Sequence, residues 1–175
     1  TSRTLRQPII DSGIPVEDEQ VAAEPMKRNT LGAVAWATAQ ALGRNGLSPE
    51  QTTLAFIPAD QYVGDIAAFR QDLRTALDAA EEVDALVTIG IEPTRPETGY
   101  GYIEFEESTV EAPGVPGAKG KLRPVERFRE KPNAETAEEF VASGRFLWNG
   151  GMFLWRVSTF MRELEHADPE VAEIV

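Results

Sequence analysis

Cysteine is absent from the 175 residues. That excludes a disulfide scaffold, thiolate catalysis and any cysteine-based zinc site. Histidine occurs once, as His166, which excludes a histidine-rich metal centre and disfavours a Ser-His triad. No apolar run approaches the roughly 20 residues that cross a bilayer, and no signal-peptide pattern opens the chain. The expected location is therefore the cytoplasm, with no membrane partner. Positive charge is also scarce: 17 Lys and Arg stand against 29 Asp and Glu, a net charge of −12. Such a chain repels a phosphate backbone, so nucleic acid is not the expected partner. A small phosphorylated ligand is still compatible, because a local Lys, backbone N–H groups and a divalent cation can hold it.

Hydrophobic residues make up 42% and charged residues 26%, a globular rather than a disordered composition. A chain of this length buries roughly 70% of its unfolded surface, enough for a core without staples.

The spacing of apolar residues organises the first half. Gln20–Glu24 reads as a short strand closed by Pro25, and Thr30 as the N-cap of a helix ended by Gly43. Thr53–Ile57 is a buried strand stopped by Pro58. Asp65 caps an amphipathic helix to Glu82, and Ala85–Ile91 is a near-continuous apolar strand of the kind covered on both faces. This alternation predicts an α/β fold with a mostly parallel sheet. In the second half, Gly101–Phe105 and Leu122–Glu130 read as a long hairpin joined by an exposed Gly- and Pro-rich loop, 108–121. Asn133 caps a helix ended by Gly144, Phe146–Trp155 is an aromatic strand, and Ser158 caps a last helix. Trp148 and Trp155 read as exposed aromatics that would serve a homodimer interface.

Four segments carry candidate chemistry. Asp60 follows a buried strand, where a carboxylate is placed to hold Mg²⁺; a simple turn competes with that reading. In ETGYGYI (Glu97–Ile103), Gly99 and Gly101 admit close backbone approach and the tyrosines, Tyr102 among them, supply flat walls; a glycine bulge competes. In FREKP (Phe128–Pro132), Lys131 would pair with a phosphate and Glu130 would accept from hydroxyls; solvated surface charge competes. In LWNGGMF (Leu147–Phe153), Asn149 would present an amide to a polar ligand; a hairpin or bulge competes.

Five stretches in order, EPMKRNT (Glu24–Thr30), IPAD (Ile57–Asp60), GIEPTRPETGYGYIE (Gly90–Glu104), FREKP and FLWNGGMFLW (Phe146–Trp155), resemble the sugar-1-phosphate nucleotidyltransferases, and among them the mannose-1-phosphate guanylyltransferases (GDP-mannose pyrophosphorylases). The resemblance implies a Rossmann-like nucleotide-diphospho-sugar transferase fold and a reaction of mannose 1-phosphate with GTP, giving GDP-mannose and pyrophosphate. It further implies Mg²⁺ or another divalent cation on Asp60, and sugar contacts from the Gly101 N–H, Tyr102, Glu130 and Asn149. Lys131 would reach the sugar phosphate, and Glu24, Pro25, Asn29 and Thr30 would lie along the guanine. The N-terminal Gly-rich phosphate loop of the family and its second metal-binding aspartate have no counterpart here, and Leu31-Gly32 stands where the family continues Ala-Pro. Residues 1–175 thus read as a portion of a single nucleotidyltransferase domain, incomplete at its N-terminus. Two other readings stay open: a related enzyme using another sugar or nucleotide, and a non-catalytic subunit that keeps the sugar pocket.

Overall fold

The computed structural model describes residues 1–26, 28–173 and 175, with only the backbone at Arg44 and Asn45. The chain divides into two compact units, residues 49–162 and residues 1–48 with 163–175. Among the described residues no helix is long and apolar enough to cross a membrane.

Residues 49–162 contain the strands β1 (Thr53–Phe56), β2 (Val87–Ile91), β3 (Tyr102–Phe105), β4 (Val125–Arg129) and β5 (Phe146–Arg156) in one five-stranded sheet. The longest strand, β5, is its axis. One edge of β5 pairs with β2, and the other pairs with β3 at Phe146–Trp148 and with β1 at Phe153–Arg156. β4 adds to the outside of β3.

Every ladder among these strands is antiparallel, which corrects the expectation of a mostly parallel sheet. β1 and β2 do run in the same direction, but β5 is interposed between them. The apolar run at residues 85–91 reports that β2 is covered, not which way its neighbour runs.

Three helices come first in chain order, α1 (Arg3–Asp11), α2 (Asn29–Asn45) and α3 (Ile66–Glu82), the last of them linking β1 to β2. Ala76 and Ala80 of α3 bury against Leu154 of β5, with Leu73, Leu77, Val87 and Ile89 around them. Small residues at that spacing let the helix approach the sheet closely. Asp65 caps it as expected, accepting from the Ala67 and Ala68 N–H groups at 3.0 Å.

Helix α4 (Ala134–Ser143) is bounded as the sequence predicts. The Asn133 side chain accepts from the Thr136 N–H at 2.9 Å, and Gly144 closes the helix in the left-handed region at φ +67°. Its Phe140 stacks on Phe146 with ring centres 4.0 Å apart and meets Tyr102 edge-on. Tyr102, Phe146 and Trp148 form a second buried cluster there. The loop 108–121 is not wholly exposed: Val115 and Ala118 are buried against Ala79 of α3. Trp148 and Trp155 are buried too, at 8% and 5% exposure. This corrects the expectation that the two indoles are exposed.

In the other unit, α1 occupies a stretch where the apolar spacing predicts no element. Arg6 of α1 donates to the carbonyl oxygens of Val21 and Asp18 at 2.9 and 2.8 Å. Residues 20–24 are not a strand: Gln20 ends a 3₁₀ turn at Asp18–Gln20, and Glu24 makes one bridge, to Ser2. α2 begins at Asn29 with no side-chain cap, so Thr30 lies inside it, and it runs through Gly43 to a left-handed Gly46. α5 (Val157–Ala167), whose first residues belong to 49–162, starts one residue ahead of Ser158, and α6 (Pro169–Ala172) follows, capped by Asp168.

Candidate functional site

The loop after β1, the end of β2 and the N-terminal half of β5 enclose a cavity of about 440 Å³ in residues 49–162. Asp60, Gln61 and Tyr62 form one wall, and Ile91, Tyr100, Trp148, Asn149 and Gly150 the rest. This is where ligands collect in open α/β sheets, beyond the ends of strands. The aromatic wall is ordered by its neighbours. Tyr100 meets Trp148 edge-on at 5.3 Å, and the Arg95 guanidinium lies 5.5 Å from the Trp148 ring centre.

The Asn-Gly-Gly sequence makes a bulge. Ile89 pairs with Met152 while the next residue of β2, Gly90, pairs with Asn149, so Gly150 and Gly151 are extra on β5. Gly151 takes φ +67°, a conformation that favours glycine. The bulged turn fixes Asn149, whose Oδ1 accepts from the Gly151 N–H at 2.9 Å while its own backbone N–H donates to the Gly101 carbonyl at 2.8 Å. The side-chain amide nitrogen has no hydrogen-bond partner among the described residues.

Gly101 sits where two other segments converge. A Cβ built on it would stand 3.7 Å from both Asn149 Cβ and Glu130 Oε1, and 3.5 Å from the Arg129 carbonyl oxygen. The structure thus brings Gly101, Glu130 and Asn149 together, and it places Asn149 and Asp60 on one cavity. Lys131 follows Glu130 at φ +20°, exposed and with no ion pair or hydrogen bond among the described residues. It is not on the cavity wall.

Tyr102 departs from expectation. It is fully buried, and its hydroxyl donates to the Glu97 carbonyl oxygen at 2.8 Å. Its side chain belongs to the core under α4, so it is no ligand wall; Tyr100 takes that place. Glu97 in turn organises the loop. Its carboxylate accepts from the Gly99 N–H at 3.0 Å and pairs with Arg95 at 3.1 Å. The Gly99 N–H, then the Arg95 guanidinium, hold its pKa below the ordinary carboxylate value.

Asp60 is exposed on the cavity wall, without an ion pair or hydrogen bond among the described residues. No group of three or more His, Asp or Glu side chains able to hold a metal converges among those residues. A single free carboxylate facing a cavity nevertheless suits Mg²⁺, which is held by one or two carboxylates together with substrate phosphates. Glu24, Pro25, Asn29 and Thr30 lie in the other unit. The Glu24 N–H donates to the Thr1 carbonyl at 2.8 Å, Pro25, Asn29 and Thr30 are exposed, and Asn29 has φ +57°.

Gln61 and Tyr62 are not among the residues that sequence patterns single out, and Ile91 falls in a matched stretch without a role assigned to it. Gln61 and Tyr62 directly follow the Asp60 carboxylate, and that adjacency is the one signal the sequence offers for them.

Residues 6–175 match the family model described as Nucleotidyl transferase. Among curated proteins the chain is 42% identical over 158 residues to the xanthan biosynthesis protein XanB of Xanthomonas campestris, covering 90% of this chain and 30% of that protein. It is 40% identical over 156 residues to a mannose-1-phosphate guanylyltransferase of Escherichia coli, covering 89% and 31%. The chain therefore spans about 30% of the length of the curated relatives it matches. A crystal structure described as mannose-1-phosphate geranyltransferase from Thermus thermophilus aligns over 99% of this chain and 46% of its own, with a TM-score of 0.76 at 36% identity. One described as mannose-6-phosphate isomerase from Helicobacter pylori covers 86% and 50%, with a TM-score of 0.66 at 29% identity.

Proposed function

The chain belongs to the nucleotidyl transferase family, and from that premise we propose that the protein joins mannose 1-phosphate to GTP, giving GDP-mannose and pyrophosphate. Enzymes of this family act on a nucleoside triphosphate and a sugar phosphate and generally use a divalent metal ion. The named sugar, nucleotide and metal are part of the proposal. The observation that supports it most is the meeting of Gly101, Glu130 and Asn149 beside the cavity that Asp60 lines.

In this reading the Glu130 carboxylate accepts from sugar hydroxyls, while the Gly101 N–H and the Asn149 amide donate to sugar oxygens. The Lys131 ammonium pairs with the sugar phosphate. An oxygen of that phosphate attacks the α-phosphorus of GTP in line; the new P–O bond forms as the bond to the bridging oxygen of pyrophosphate breaks. Asp60 would hold Mg²⁺, which offsets charge developing on the phosphate oxygens when bound. Glu24, Pro25, Asn29 and Thr30 would lie along the guanine. No covalent bond to the protein is required, which suits a chain without cysteine. Positioning and fixed charge carry the rate. A cytoplasmic location suits a reaction that draws on GTP.

Calorimetric titration of GDP-mannose in the presence of Mg²⁺, with ADP-glucose as control, tests the reading. Binding of GDP-mannose selective over ADP-glucose is expected. A folded protein that binds neither, or both equally, would overturn it.

A further inference from the structure

The loop after β1 does not simply pass the β5 bulge; it grips both of the bulge's extra residues. The bulge lifts Gly150 and Gly151 out of register with β2, and Gly150 is buried. A carbonyl released from a ladder in such a place needs another donor. Gln61 supplies it, its Nε2 donating to the Gly150 carbonyl oxygen. On the same loop, Pro58 packs on the other extra residue: a Cβ on Gly151 would lie 3.3 Å from Pro58 Cγ. Pro58 and Gln61 flank Asp60 in sequence, and Gly150 and Gly151 directly follow Asn149. The two contacts therefore join the carrier of the cavity's carboxylate to the carrier of its free amide.

We infer that Gln61 is a positioning residue that clamps the Asp60 loop to the Asn149 bulge, so that both side chains meet one bound molecule in a fixed relation. This rests on the proposed nucleotidyl transfer and deepens it, since Gln61 touches neither reacting phosphate in that scheme. The Gln61 side chain has the right chemistry for a clamp. Being neutral, it spans the gap without competing for the metal or phosphate. With the hydrogen bond gone, the loop loses its polar tie to the bulge and samples more conformations, and binding then has to order it.

The test compares wild type with Gln61→Met, which keeps side-chain length but cannot donate, and with Gln61→His, which restores an N–H. Amide hydrogen exchange of the unliganded protein is followed for the bulge segments at Asn149 and Gly151, whose N–H groups donate to the Gly101 carbonyl and to Asn149 Oδ1. Affinity for GDP-mannose is measured by calorimetry and stability by thermal melting. In Gln61→Met, exchange should quicken in those segments alone and affinity should fall about three- to tenfold, the range open to one hydrogen bond to backbone. The melting temperature should move by less than about 3 °C, and Gln61→His should recover most of the affinity. Unchanged exchange in Gln61→Met removes the clamp. Faster exchange with wild-type affinity removes its role in binding, and so does an affinity loss that Gln61→His fails to repair. If the wild type binds no GDP-mannose while exchange still responds to Gln61→Met, the clamp stands and the substrate assignment falls instead.

Discussion

The Asn149 N–H and the Gly101 carbonyl are joined by a 2.8 Å hydrogen bond, which splices two glycine-containing segments nearly fifty residues apart into one surface. Gly101→Ala probes that surface directly. The added Cβ would meet its neighbours at 3.5 to 3.7 Å, ordinary contact distances, so the fold accommodates it. It would occupy the space between Glu130 and Asn149. The expected result is a melting temperature within about 3 °C of wild type and GDP-mannose affinity lowered about tenfold. Gly150→Ala is the contrast: its Cβ would stand 2.9 Å from Met152 Cε and 3.1 Å from Ile91 Cδ1, and overpacking of this kind costs about 1–3 kcal/mol of stability. Wild-type affinity in Gly101→Ala would mean that the sugar lies elsewhere.

Lys131→Ala separates affinity from folding more cleanly. The side chain is exposed and pairs with nothing among the described residues, so its loss should change stability by no more than about 0.5 kcal/mol. If Lys131 meets the sugar phosphate, a charge-assisted contact disappears, and kcat/KM for mannose 1-phosphate should fall about ten- to a hundredfold. Steady-state kinetics with GTP held saturating gives the answer. An unchanged kcat/KM would return Lys131 to the role of surface charge.

Three helix ends were legible in single side chains, whereas Thr30, Gly43 and Ser158 lie inside helices rather than at their ends. Asp65 and Asn133 cap their helices, and Gly144 ends one, because a capping oxygen or a left-handed glycine acts within four residues. The position of β5 between β1 and β2 was not legible, since apolar periodicity records coverage and not the identity of a neighbour. Tyr100 and Tyr102 show the same limit within one motif. β3 begins at Tyr102, so the second tyrosine turns into the core while the first, ahead of the strand, stays on the cavity. Val115 and Ala118 were hidden among glycines and prolines with no period to reveal them. Of the site, the motif residues were named, but the clamp at Gln61 depends on a bulge that only the strand register exposes.

Glu104 is a charged residue that the structure buries. Its side chain is 7% exposed and lies 3.1 Å from Arg129, 3.4 Å from Arg127 and 3.8 Å from Arg145. Three guanidinium groups, each 40–52% exposed, cover one buried carboxylate at the rim of the Tyr102 cluster. Glu104→Gln keeps the shape and removes the charge. Because the arginines can turn to solvent, the expected loss is about 1–2 kcal/mol, below the roughly 3–5 kcal/mol typical when a fully buried pair is broken. Urea unfolding measures it, and a midpoint equal to wild type would show the cluster to be energetically idle.

Stability should also fall in acid for a reason that can be assigned. Asp84 adopts φ +47° and accepts from the Thr159 hydroxyl and from Arg162, the latter at 2.9 Å. The Thr159 hydrogen bond first, and Arg162 second, hold its carboxyl below the ordinary value of 3.8. A carboxylate depressed in this way binds its proton more readily in the unfolded chain. Its contribution is therefore present above the unfolded pKa and is lost as the pH falls through the folded one. Asp84→Asn should lower the urea midpoint near neutral pH and flatten its decline in acid. Parallel acid limbs in mutant and wild type would assign the lability to other carboxylates.

Trp148 offers an optical report on the cavity. Its ring lines the pocket between Tyr100 and Arg95, whereas Trp155 stacks on Phe160 at 4.9 Å and is not on the cavity wall. A ligand entering the cavity changes the surroundings of the first indole and leaves the second as it was. With the third tryptophan, Trp36, replaced by Phe in every variant, titration with GDP-mannose should therefore shift the intrinsic fluorescence of the parent and of Trp155→Phe, but not that of Trp148→Phe. The Trp148 substitution is less disruptive than its size suggests, because the buried Nε1 of Trp148 has no hydrogen-bond partner among the described residues. Replacing the indole by a phenyl ring removes an unsatisfied donor along with the lost packing, two effects of opposite sign. A fluorescence change that survives Trp148→Phe would place the bound molecule outside this cavity.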